Sequence, residues 1–131
     1  MANFSLFLAN ELLDNTLRAA SYTGPATLYM ALFTSGTNLE TNVQTAEVSG
    51  NGYARTLVTF DVASGSTTQN TADVTFPTAI TATWGTITHA AVCSASTAGE
   101  ILYWAALDAN KTINVGDTFK FLAGAFIVEH Q

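Results

Sequence analysis

The chain, 131 residues and 13.8 kDa, is long enough for one domain and too short for two ordinary ones. Apolar residues make up 48% and charged residues only 11%, under half of the usual share of about 25%, which excludes a strongly solvated disordered chain. Four basic against ten acidic residues give a net charge of −6, and Arg18, Arg55, Lys111 and Lys120 are too few to build a basic patch, which excludes nucleic acid as a partner.

Leu6, Ala9, Leu13, Leu17 and Ala20 recur at spacings of three and four, and Leu8 and Leu12 widen the stripe. This periodicity predicts an amphipathic helix from about residue 5 to residue 19. Asn3 or Ser5 is placed to cap its start, and Gly24-Pro25 bars any continuation. From Ala26 onward the texture changes to Thr, Val, Phe and Tyr. Most of the 21 threonines fall here, and a β-branched side chain suits a half-buried pleated surface better than a helix. Candidate strands are Thr27–Phe33, Tyr53–Val62, Ala72–Phe76, Thr86–Ser94, Ile101–Leu107, Thr118–Leu122 and Ala125–Glu129, with a shorter one at Lys111–Ile113. Turn residues separate them, among them Ser49-Gly50-Asn51-Gly52, Ser64-Gly65-Ser66 and Asp108-Ala109-Asn110. Thr27–Phe33 is apolar on both faces and is expected to be central or covered by the helix. Residues 35 to 52 and 63 to 70 show no regular pattern. The fold class that follows is mainly β: an antiparallel β-sandwich, jelly-roll or Greek-key in style, with one N-terminal α-helix. A single domain is expected over residues 1–131, divided into a helical segment (1–24) and the sandwich (25–131).

The chemical inventory is thin. Cys93 is the sole cysteine, so no internal disulfide forms. No run approaches the roughly 18 apolar residues that span a bilayer, and the apolar opening lacks the basic lead of a signal peptide. His89 and Cys93 invite a dyad, yet four residues along a strand separate them by roughly 13 Å, so an inert buried thiol is the better reading. Gly50-Asn51-Gly52 opens onto a strand rather than a helix and is not a phosphate cradle. Ser64-Gly65-Ser66 lacks the G-x-S-x-G spacing of a nucleophile elbow. The carboxylates are scattered singly, and no metal or cofactor site is expected. Two features suggest contact instead. The helix and its lead-in carry more apolar surface than one buried stripe needs. Tyr103-Trp104 sets two large rings on opposite faces of one strand, one for the core and one for an interface.

Several segments taken together resemble a known family: Leu8-Ala9-Asn10-Glu11-Leu12-Leu13-Asp14, Pro25-Ala26-Thr27-Leu28-Tyr29-Met30-Ala31-Leu32-Phe33-Thr34 and Gly50-Asn51-Gly52-Tyr53-Ala54-Arg55. The series continues through Val74-Thr75-Phe76-Pro77, Trp84-Gly85-Thr86-Ile87-Thr88-His89 and Val115-Gly116-Asp117-Thr118-Phe119. The chain resembles small virion proteins of tailed bacteriophages over nearly its whole length. The resemblance carries no catalytic residue and implies a many-copy structural role. The first expectation is a capsid decoration (cement) protein on the outer head shell. It would be assembled in the bacterial cytoplasm, bind the major capsid protein and associate as a dimer or trimer. A tail, baseplate or fibre-adaptor protein is the alternative, and a carbohydrate-binding sandwich with Trp84, Tyr103 or Trp104 as stacking platform is the second. Contacts are expected from Phe4, Leu6, Phe7 and Leu8 at the N-terminus, from Leu39, Val43, Tyr53 and Arg55 in and beside the 35–52 loop, and from Trp104. Removal of residues 1 to 8 is expected to leave a folded monomer that no longer binds particles.

Overall fold

The computed structural model describes residues 2–130. In chain order the elements are strand β1 (Asn3–Phe4), helix α1 (Leu6–Arg18), β2 (Leu28–Phe33), a 3-10 turn (Leu39–Thr41), β3 (Thr56–Val58) and β4 (Thr67–Gln69). They continue with β5 (Val74–Thr75), β6 (Gly85–Cys93), β7 (Ile101–Ile113), β8 (Lys120–Phe121) and β9 (Ile127–Glu129). Five strands form one antiparallel sheet in the order β1-β7-β6-β2-β3, while β4-β9 and β5-β8 form two separate antiparallel ladders. The expectation of a mainly β chain with antiparallel sheets and one N-terminal helix holds.

The layers are set by alternation along the central strands. Met30 and Leu32 of β2, Ala90 and Val92 of β6 and Ala105 of β7 point to one face. There they meet Val74, Phe76, Phe119, Phe126 and Val128 from the two ladders and their flanks. Edge-to-face rings tie this second layer together: Phe76 to Phe119 at 5.8 Å, Phe119 to Phe121 at 5.0 Å and Phe121 to Phe126 at 5.9 Å. The second layer is thus closed by aromatic side chains rather than by one continuous sheet, because Pro77 and turns at Gly65, Gly116 and Gly124, all with positive φ, interrupt its backbone pairing. The opposite face carries Ala31, Phe33, Ala91, Cys93 and Ile101, roofed by Leu39, Ala46 and Trp104. Helix α1 lies against β7 and the 3-10 turn, so the helix covers the outer side of the sheet beside β2 rather than β2 itself.

The helix, Leu6–Arg18, keeps close to its expected span of about 5 to 19, and it stops because Ala19 turns left-handed (φ 56°) and the Ala20 N–H closes back on the Asp14 carbonyl. Two local expectations need correction. Residues 67 to 69, within a stretch read as patternless, form β4 against β9. Ile101–Leu107 and Lys111–Ile113 are one strand, β7. Its partners jump from Ile87↔Lys111 to His89↔Ala106, so β6 advances two residues while β7 advances five. Asp108-Ala109-Asn110 therefore makes a wide bulge rather than the turn expected there.

Candidate interaction surface

The N-terminal segment builds the helix onto the sheet. β1 pairs with β7, Asn3 opposite Trp104 and Phe4 opposite Tyr103. Ser5 follows in extended geometry, and its Oγ accepts the Leu8 N–H at 3.1 Å, capping α1. This fixed start sets which side of α1 faces inward. Leu8 is buried and Phe7 is half-buried against Tyr22, whereas Leu6, Leu13 and Leu17 are 47%, 57% and 75% exposed. Phe4 packs on Tyr103 and on His130, whose Nε2 lies 2.8 Å from the Tyr103 hydroxyl. Residues 2 to 8 thus supply a core alanine, an edge strand, a helix cap and a core leucine. Their removal would take these contacts away, so truncation is expected to weaken the fold as well as any binding.

The 35–52 loop folds back along the sheet. Val48 N–H donates to the Leu32 carbonyl and Thr34 N–H to the Ala46 carbonyl, both at 3.0 Å, covering the part of β2 that β3 leaves free. Leu39 is buried; Val43 is exposed. At the loop's far end sits a clamp centred on Arg55, whose side chain is only 3% exposed. Its Nε and one terminal nitrogen grip both Glu47 oxygens at 2.8 Å, and the same nitrogen donates to Gln44 Oε1. The other nitrogen donates to the carbonyls of Ala95 and Ala98 at 2.9 and 2.8 Å. All five guanidinium donors are thereby used. The Tyr53 hydroxyl donates to Glu47 Oε2 at 2.7 Å and accepts the Leu32 N–H at 3.0 Å. Gln44 and Asn42 both donate to the Gly99 carbonyl. The clamp therefore joins the loop, the entry to β3 and the β6–β7 hairpin. Burial alone would lower the Arg55 pKa, but its hydrogen bond to Glu47 and the nearby negative charge raise it overall. Burial beside Glu47 raises the Tyr53 pKa strongly.

Of the residues expected to contact a partner, Leu8 and Leu39 are taken up by the interior, and Tyr53 and Arg55 have their polar groups engaged within the chain. Leu6 and Val43 face outward, while Phe4, Phe7 and Trp104 are half-buried. Leu13 and Leu17 belong to the outward set as well. Their three-and-four spacing marks them as part of an apolar stripe but does not say which side of the helix faces the sheet. Trp84 is buried, stacks edge-on to Tyr53 and donates its indole N–H to the Asn51 carbonyl, so it offers no platform to a sugar.

The reactive side chains are muted. Cys93 is buried in the outer-face cluster, and burial pushes its thiol up to about 12, far from a usable thiolate. The His89 ring presses so closely on Gly36 that a Cβ there would fall 2.3 Å from its Nε2. Burial lowers its pKa below 6.5. Among the described residues, no group of three or more His, Cys, Asp or Glu could hold a metal, and no helix is long and apolar enough to cross a membrane. An apolar cleft of about 430 Å³ opens between the five-stranded sheet and the β4-β9 ladder, lined by Leu28, Phe60, Val92, Leu102 and Val128.

The family model described as Podophage GP4 fiber I protein gp80 matches residues 3–129, from the first strand to the last. The chain belongs to that family. It is a structural protein of a tailed-phage virion. Members of the gp80 family are fibre proteins by description, and the Gly50–Arg55 segment, quoted above for its resemblance, is accounted for here by the internal clamp. No curated protein matches the chain.

Proposed function

We propose that this chain is a fibre-associated component of a podophage tail whose task is to hold neighbouring virion proteins in place rather than to catalyse a reaction. The single observation that carries this reading is the match of residues 3–129 to a fibre family. Supporting it, the distinctive polar cluster of the molecule is a closed structural clamp, and three exposed leucines, Leu6, Leu13 and Leu17, line one side of α1. Binding to the major capsid protein as head decoration is the competing reading. The low charge of the chain favours it, since few ions would need desolvating across shell seams. Purified virions separate the two. Quantitative mass spectrometry is expected to give a copy number far below that of the major capsid protein, with antibody-gold label at the tail. A copy number close to that of the capsid protein, with label over the head, would replace the tail reading with decoration. The glycan-platform reading has lost Trp84 to the core, and Tyr103 turns its hydroxyl to His130.

A further inference from the structure

Helix α1 carries an outward stripe that its own domain does not use. At 100° per residue, Leu6, Asn10, Leu13 and Leu17 fall within an arc of about 60°, opposite buried Leu8. All four are exposed. Their spacing of four, three and four is that of a two-helix seam, with Leu6 and Leu13 in one class of position and Asn10 and Leu17 in the other. We propose that α1 is a self-association element, its stripe packing in parallel against the same stripe of a second copy of this chain, with the two Asn10 amides paired across the seam.

Asn10 identifies the occupant. A wholly apolar partner face would strand its amide in a dry contact, whereas a second copy in parallel register brings the same amide to the same level, donor against acceptor. An antiparallel copy would set Asn10 against Leu13. The flanks agree: Ala9 and Thr16 on one side are small and neutral, and on the other Asp14 is neutralised by Arg18 at 3.5 Å. The seam itself bears no charge, so the net charge of −6 is kept away from it. Thirteen residues make less than two heptads, so the contact is weak by itself. The helix is nevertheless pre-formed on its domain, and attachment of several copies to one particle raises their effective concentration.

The test uses the full chain. In sedimentation equilibrium at increasing concentration, the wild type is expected to rise above 13.8 kDa, and Leu13→Glu with Leu17→Glu is expected to remain monomeric with an unchanged circular dichroism spectrum. Asn10→Cys is expected to form an inter-chain disulfide on mild oxidation, while Thr97→Cys, exposed on the β6–β7 hairpin and outside the stripe, is not; Cys93, being buried, stays out of the exchange. A wild type that stays monomeric throughout, association that survives the double glutamate variant, or equal cross-linking of Asn10→Cys and Thr97→Cys would each overturn the proposal. None of these results bears on whether the protein sits at the tail or the head.

Discussion

Arg55 is worth most where it is least visible. A guanidinium with every donor used and almost no exposure cannot lose its partner cheaply, because the surviving carboxylate is left desolvated. Arg55→Ala is expected to destabilise the fold by about 3 kcal/mol, read as a lower denaturant midpoint. Arg55→Lys should recover little, since an ammonium cannot reproduce the planar two-pronged grip on Glu47. His89 gives a pH dependence with a defined sign. Its folded pKa lies below the unfolded value of 6.5, so the unfolded chain takes up the proton first. Stability is then full above pH 6.5 and declines as the pH falls through the folded pKa. Urea midpoints across that window should drop more in the wild type than in His89→Gln. Nothing in a sequence distinguishes a buried arginine from a surface one, which is why Arg55 and Tyr53 were read as contact residues.

At the scale of elements, α1 was legible because its apolar spacing is helical whatever it packs on. Its two ends were legible to different degrees. Ser5 is a residue type that marks a start, and Ser5→Ala should cost about 1 kcal/mol. Ala19 carries no such mark, since left-handed geometry usually belongs to glycine. Ala19→Gly is expected to stabilise the protein by about 1 kcal/mol, seen as a raised melting temperature. β6 and most of β7 were visible through their apolar faces. β4 was not, because Thr67, Thr68 and Gln69 pack too little apolar surface to leave a pattern. The turn residues at 108 to 110 were read correctly as a break in regular pairing and wrongly as the end of a strand. The apolar excess of the N-terminal segment was also legible. Which leucines would face outward was not, until the pairing of β1 with β7 and the Ser5 cap fixed the rotation of the helix.

For the molecule as a whole, two-stranded ladders are marginal in isolation, and β4-β9 and β5-β8 persist because Val128, Val74 and the flanking Phe76, Phe119 and Phe126 pack with the five-stranded sheet in one core. Neither layer is expected to survive the other. Unfolding followed by far-UV circular dichroism and by the fluorescence of Trp84 and Trp104, which sit on opposite faces of the sheet, should give one coincident transition. Separate midpoints would mean that the layers melt independently. Phe76, buried among Tyr53 and Phe119, is the side chain whose truncation to alanine should shift both signals most, by about 3–5 kcal/mol. The molecule also brings the start and finish of the described chain together: the Ala2 N–H donates to the Ile127 carbonyl at 3.3 Å, and Ala2 bridges Val128. The polypeptide is therefore open to circular permutation. A short linker can join those neighbouring ends, new ends can be cut at the exposed Gly65 tip, and every layer would still find its place. Fused into a longer protein, the same domain would hang from one corner and leave its host's path almost undisturbed.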